Sequence, residues 1–204
     1  MAAAPFPRAS AEEARPTADA KPKSRLILLG TAGGPTPKPN RSAPAQVIVV
    51  NGTSYVIDCG NGVARQMVLA KLKLSSMRSV FITHHHSDHN ADYGNLLLLA
   101  WATDLTKRID TYGPPPLAQM TRLFLELNDY DIRTRIADEG RPPLKDLIAP
   151  HEITAGGPTP KPNRSAPANV IVVNGASYVV DCGNGVARQM VLAKLKLSSM
   201  RSVF

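Results

Sequence analysis

Thr31–Phe81 and Thr154–Phe204 are nearly the same sequence. Over 51 positions the two blocks differ at three, where Gln46 becomes Asn169, Thr53 becomes Ala176 and Ile57 becomes Val180. Strand pairing is specified by the side chains that meet across it. Two copies of one set of strands therefore compete for the same neighbours, and one domain cannot seat both. Nor is this a solenoid, which needs at least ~3 adjacent units to bury a continuous core. The similarity starts abruptly at Thr-Ala-Gly-Gly, because Leu28-Leu29-Gly30 shares nothing with Glu152-Ile153. The expected origin is a recombination or assembly event joining near-identical genes at that tetrapeptide, with a sister gene as donor. The alternative is a two-lobed protein that duplicated its first half. The organisation that follows is a disordered leader over 1–24, one partial domain over 25–153, and a duplicate of 31–81 over 154–204.

The duplication also explains the charge. The formal net charge of +8 invites a nucleic-acid partner. Residues 154–204 hold six Lys and Arg against Asp181 alone, a net of +5, which leaves +3 for everything before them. Most of the excess comes from copying one basic block, and a basic nucleic-acid-binding module is the weakest of the functional alternatives. Cys59 and Cys182 sit in the same Asp-Cys-Gly-Asn-Gly context in the two copies, so the pair is no evidence for a disulfide. The longest apolar run, Leu96–Ala102, is far short of the roughly 20 residues that cross a bilayer, so no membrane role is expected. In the leader, Pro5, Pro7, Arg8, Glu12 and Glu13 interrupt any signal-like apolar stretch. A cytoplasmic location is the default. Ala2-Ala3-Ala4 would imply a secreted or periplasmic protein only as the remnant of a signal lost upstream.

Periodicity gives a layered α/β domain. Arg25–Leu29 is a short strand, and the Pro- and Gly-rich Thr31–Ala45 a loop. Gln46–Val50 and Ser54–Ile57 flank Asn51-Gly52, the strongest short hairpin signal. Val63–Leu72 has helical spacing, Ser79–Thr83 is a buried strand, Asp92–Thr103 a helix, Ile109–Tyr112 a strand and Leu117–Leu127 an amphipathic helix. Arg133–Pro150 is polar and reads as a loop or irregular segment.

The chemistry concentrates in Thr83-His84-His85-His86-Ser87-Asp88-His89-Asn90. At an extended strand end, alternation sends His84 and His86 to one side and His85 to the other. Two imidazoles on one side can share a metal, and Asp88 and His89 in the following turn can reach a second position. Imidazole and carboxylate both suit zinc, and paired metals ~3.5–4 Å apart can activate water and polarise an ester oxygen. The run lies inside the chain, between a core strand and a helix, which argues against a tag-like tract. His84, His86, Asp88 and His89 are the candidate ligands, and His85 is a non-ligand neighbour. Asp58, between a strand and a Gly turn, is either a group that orients a ligand or a plain turn residue. His151 is a surface or strand histidine.

His84-x-His86-x-Asp88-His89 resembles the HxHxDH signature of the metallo-β-lactamase superfamily. Leu29-Gly30-Thr31-Ala32-Gly33-Gly34, Asn40-Arg41-Ser42, Ile57-Asp58-Cys59-Gly60, Phe81-Ile82-Thr83 and Tyr112-Gly113-Pro114 follow in the order seen in its ribonuclease Z and arylsulfatase-like branch. The resemblance covers about 25–154 and implies the N-terminal part of an αββα sandwich, followed here by a duplicated β-β-α-β fragment. It implies two zinc ions in a complete site, His84 and His86 on the first, Asp88 and His89 on the second. Asp88 is also the catalytic candidate, orienting the attacking hydroxide or taking part in proton transfer. The family's remaining ligands, a third histidine, a bridging aspartate and a final histidine, come from a C-terminal half that has no counterpart in this chain. His151 resembles a strand upstream of the third ligand.

The expected function is a zinc-dependent hydrolase of phosphoric or sulfuric esters by lineage, with weak or no zinc binding and negligible turnover by this truncated chain alone. Arg122, Arg133, Arg135 and Arg141 are balanced by Glu126, Asp129, Asp131, Asp138 and Glu139, which argues against a basic RNA-docking arm. A small, arylsulfatase-like ester is therefore the favoured substrate, and transfer-RNA 3′ processing of a nucleic-acid substrate stands second. The non-enzymatic alternative is a rearranged fragment that pairs with another chain, as in a homo-oligomer, through exposed strand edges.

Overall fold

Asn51 and Gly52 take left-handed φ of 49° and 82°. That pair of positive values defines the turn whose twist matches a hairpin. It joins β2 (Ala45–Val50) to β3 (Thr53–Ile57), with Val50 opposite Thr53. In this computed structural model, which describes residues 24–153, 168–173, 176–182 and 186–203, the hairpin begins a six-stranded sheet. β1 (Ser24–Gly30) runs antiparallel to β2. β4 (Met77–Phe81), β5 (Ile109–Gly113) and β6 (Ile148–Glu152) follow parallel to β3, in the order β1-β2-β3-β4-β5-β6.

Parallel neighbours need long crossovers, usually helical. α1 (Val63–Leu69) links β3 to β4. The short α2 (Ser87–Asn90) and α3 (Tyr93–Ala102) link β4 to β5. α4 (Leu117–Leu127), α5 (Asp129–Glu139) and α6 (Leu144–Leu147) link β5 to β6. The period of two divides the apolar residues between the faces. Val47, Val49, Val56, Val80 and Ile109 meet Val63 and Met67 of α1 and Leu96, Leu97 and Trp101 of α3 in the main core. Ile48 and Ile57 point the other way, among half-buried Leu26, Val50, Tyr55 and Phe81. A mixed α/β sheet with helices on one face and a second apolar face is the arrangement the sequence implies.

Two segments differ from expectation. Arg133–Pro150 is not irregular: it contains most of α5, all of α6 and the start of β6. The polar pattern conceals a helix stitched by ion pairs one turn apart, Asp129–Arg133 at 2.7 Å, Asp131–Arg135 at 3.2 Å and Arg135–Glu139 at 2.9 Å. Gly140, at φ 66°, ends it. β6 tolerates Pro150 because an edge strand can spare the missing N–H. β4, in turn, starts and stops two residues earlier than expected, since Thr83 leaves the ladder to bond Asp58.

The second block forms its own three-stranded sheet, β7 (Ala168–Val173), β8 (Ala176–Cys182) and β9 (Met200–Val203), with α7 (Val186–Leu192) between the last two. It repeats the first block's pairing, antiparallel then parallel. Local detail repeats too. Ser177 and Ser199 hydroxyls lie 2.9 Å apart where Ser54 and Ser76 lie 2.8 Å apart. Residues 1–23 of the expected leader fall outside the described residues, and Ser24 opens β1. Cys59 is a free, buried thiol, and the Cys182 side chain lies outside the described residues. No helix among the described residues is long and apolar enough to cross a membrane.

Candidate metal centre

The His-rich loop leaves β4 at the carboxyl end of the parallel strands. Parallel pairing of Ile57 with Phe81 brings the end of β3, Asp58, beside Thr83. Asp58 is 1% exposed and takes φ 59°, a left-handed conformation that Asp adopts more readily than most residues. Its carboxylate accepts from the Thr83 amide at 2.8 Å, from the Thr83 hydroxyl at 2.9 Å, and from His89 Nδ1 at 2.7 Å. A buried carboxylate is costly unless its lone pairs are met, and here three donors meet them. Asp58 is thus the orienting group, not merely a turn residue.

Tautomers follow from this proton accounting. The Thr83 hydroxyl has one hydrogen and gives it to Asp58, so toward His84 Nδ1, 3.0 Å away, it acts as acceptor. That assignment puts the His84 proton on Nδ1 and a lone pair on Nε2. His89 likewise gives its Nδ1 proton to Asp58. One carboxylate therefore anchors both rings, His89 directly and His84 through the Thr83 hydroxyl. Burial, and then the nearby His89, lower the His84 pKa against the opposing pull of Asp58 and Asp88, which favours the neutral imidazole.

The rings converge. His84 Nε2 lies 3.1 Å from His86 Nδ1. Ring centroids are 4.1 Å apart for His84 and His89 and 4.7 Å for His84 and His86. His89 Nε2 is 3.6 Å from the Asp88 carboxylate, which is itself 9% exposed and sits in the first turn of α2. Two nitrogens each ~2.0–2.1 Å from a tetrahedral zinc would be about 3.3 Å apart, so His84 and His86 fit one ion. Among the described residues no three His, Cys, Asp or Glu side chains form a metal-binding group, and the fit is to two donors per metal. His85 faces away, as alternation implies, bonding the Pro114 carbonyl at 2.7 Å and Asn90 at 3.1 Å.

Backbone contacts fix the loop against the β3 turn. Cys59 N–H donates to the His89 carbonyl at 2.6 Å, and Asp92 N–H donates to the Cys59 carbonyl at 2.9 Å. Asp92 also accepts from the Gly62 amide at 2.6 Å. At Gly60 a methyl group would collide with the Asp88 carbonyl oxygen, so only glycine lets the two segments touch. Burial, then Asp58 and Asp92, hold the Cys59 thiol well above its ordinary pKa, leaving a packing residue rather than a nucleophile. His151 lies outside this cluster. It stacks on Tyr112 at 4.8 Å and bonds Asp110 at 3.0 Å, as a strand residue.

Sequence reasoning missed Thr83 and the turn contacts of Asp92. Their signal was present, since Asp58 and Thr83 each follow a strand, but it needed the β3–β4 pairing to be read. A cleft of ≈ 350 Å³ beside Asp88 and Ser87 is lined by Lys38, Arg41, Arg65 and Gln66.

Comparison with known proteins identifies the family. The family model described as Metallo-beta-lactamase superfamily matches residues 41–163. Ribonuclease Z of Mycobacterium sp. (strain KMS) is 36% identical over 138 residues, 64% of this chain and 46% of that protein. Ribonuclease Z of Mycobacterium bovis (strain BCG / Pasteur 1173P2) is 32% identical over 134 residues, 64% of this chain and 48% of that protein. The chain thus spans about half the length of the curated relatives it matches. The crystal structure of the metallo-beta-lactamase fold protein YhfI from Bacillus subtilis aligns with a TM-score of 0.52 at 17% identity, covering 78% of this chain and 62% of that one. That likeness concerns the fold.

Proposed function

The chain belongs to the metallo-beta-lactamase superfamily of hydrolases, and from that premise we propose that His84, His86, Asp88 and His89 form part of a dinuclear zinc centre that hydrolyses a phosphodiester. The observation that carries the proposal is the 3.1 Å approach of His84 Nε2 to His86 Nδ1, beside an Asp58 carboxylate that holds His89 directly and His84 through the Thr83 hydroxyl. When bound, zinc would supply Lewis acidity toward an ester oxygen. His84 and His86 would hold one ion, and Asp88 and His89 the other. Asp88, buried at the start of α2, would orient the attacking water and take its proton. A catalytic zinc keeps about three protein ligands plus water. The described donors come to two per metal, so this chain by itself is expected to bind zinc weakly, with negligible turnover.

Between substrates, the matches to proteins named ribonuclease Z favour an RNA phosphodiester over the small, arylsulfatase-like ester. The charge argument against RNA applies to α4 and α5, whose arginines are engaged by Glu126, Asp129, Asp131 and Glu139. It does not apply to the cleft beside Asp88, where Lys38, Arg41 and Arg65 present cations to an incoming polyanion. The test is zinc titration against a chromophoric chelator, with binding assays for a precursor transfer RNA bearing a 3′ trailer and for an aryl sulfate. The expected result is weak zinc binding abolished by H84A/H86A, and salt-sensitive RNA binding weakened by R41A/R65A. Zinc binding indifferent to H84A/H86A would remove the site. Affinity for the sulfate without affinity for RNA would remove the substrate.

A further inference from the structure

The two blocks share a sequence but not their surroundings. In the first, Val49, Leu74 and Met77 are 6%, 8% and 2% exposed, packed in the core with α3. Their counterparts in the second, Val172, Leu197 and Met200, are 46%, 45% and 42% exposed. The second block has nevertheless folded to the same local plan. Its strand order, its Ser177–Ser199 contact and the left-handed φ of 58° at Lys194, against 59° at Lys71, all repeat. It therefore presents, ready formed, the apolar face that in the first block α3 covers. Among the described residues its outer strands also lack neighbours. β7 and β9 are the edges of their sheet, whereas β2 pairs with β1 and β4 pairs with β5.

We propose that the second block is an alternative occupant of the first block's place, exchanging with it within one chain for the same neighbours, β1, α3 and β5. The partner is named by the first block itself, because what covers that sequence once can cover it again. Among the three differences, Ile57 is fully buried, and Val180 lacks one of its methylenes. A buried Ile-to-Val change lowers occupancy by about 2- to 12-fold, so the first block dominates. The exchange has a functional consequence that does not depend on any metal. The His84–His89 loop runs directly out of β4, so it leaves the sheet with the first block and loses the strand that presents it.

Cross-linking tests the exchange. Arg25 of β1 faces Val49 of β2, and Val172 is the counterpart of Val49. The full chain carrying R25C/V49C should form an intramolecular disulfide in the majority of molecules under mild oxidation. The chain carrying R25C/V172C should form one in a minority, above the yield of the control R25C/L192C, with peptide mapping to identify the bond. Adding I57V and V180I together should shift the ratio toward the second cross-link by roughly 5- to 150-fold. A yield for R25C/V172C no greater than the control, in both backgrounds, would overturn the proposal. So would an R25C/V172C disulfide found only between chains, in dimers. Both readouts are independent of zinc or substrate, so they stand whether or not the proposed function does.

Discussion

Replacing Asp58 by Asn separates the charge at this position from its shape. Asn fits the same space and tolerates the φ of 59°. Its amide oxygen can still accept from the Thr83 amide and hydroxyl, at 2.8 Å and 3.0 Å in the native protein. Its NH2 group then faces His89 Nδ1, where the carboxylate accepted at 2.7 Å. Two donors cannot share that contact, so His89 must move its proton to Nε2, the atom nearest Asp88. A hydrogen bond to a charged partner contributes about 1.5–3 kcal/mol, and one of three is lost, so unfolding free energy should fall by about that amount. Metal affinity should fall by roughly 10- to 100-fold, the usual cost of losing an orienting partner. Asp58→Ala should cost more, since it strands both Thr83 donors and strains the backbone. Urea unfolding followed by the fluorescence of buried Trp101 gives the first number. Long-range proton–nitrogen correlation of the imidazoles gives the tautomer without any metal. A D58N protein with an unchanged His89 tautomer and a stability within about 0.5 kcal/mol of the native value would refute the reasoning.

Gly60→Ala should lower the urea midpoint by the equivalent of about 1–3 kcal/mol, because the new methyl meets the Asp88 carbonyl oxygen and stands 2.6 Å from Ala43 Cβ. An unchanged midpoint would show that the loop is not seated against this turn. Tyr93→Phe removes hydrogen bonds to the Thr111 and Thr121 hydroxyls, at 3.0 Å and 2.7 Å. Leaving those buried groups short of a partner should cost about 1–3 kcal/mol, and a variant as stable as the native protein would contradict that. Asp110 has its pKa lowered by the His151 hydrogen bond first and Arg78 next. A carboxylate depressed in the folded state contributes stability above its unfolded value of ~3.9, and that contribution is lost as pH falls through the folded value. Acid unfolding of Asp110→Asn followed by circular dichroism should be shallower below about pH 4, and a curve superimposable on the native one would count against the assignment.

Local signals carried most of the first half of the fold. Asn51-Gly52 specifies its turn through backbone conformation alone, and Leu117–Leu127 shows its buried stripe without help from any distant residue. α5 was hidden because just one residue, Ile132, is buried, so its helix rests on ion pairs and a terminal glycine rather than on an apolar period. β6 was hidden because Pro150 argues against a strand until the edge position is known. In the site, the spacing of His84 and His86 on one side and His85 on the other follows from alternation, and the structure places them so. The role of Asp58 could not be read from spacing, since it acts across 25 residues on Thr83 and 31 on His89. That link exists only once β3 and β4 lie parallel. The exposed face of the second block was equally invisible, because nearly identical sequences read alike and their neighbours are what differ most.

Anomalous diffraction at the zinc edge, from crystals of the chain equilibrated with zinc, bears most directly on the four donors acting as metal ligands. A peak about 2.0–2.2 Å from both His84 Nε2 and His86 Nδ1 is the predicted result, with the 3.1 Å hydrogen bond between them replaced by coordination. Zinc bound elsewhere while that hydrogen bond persists would contradict it.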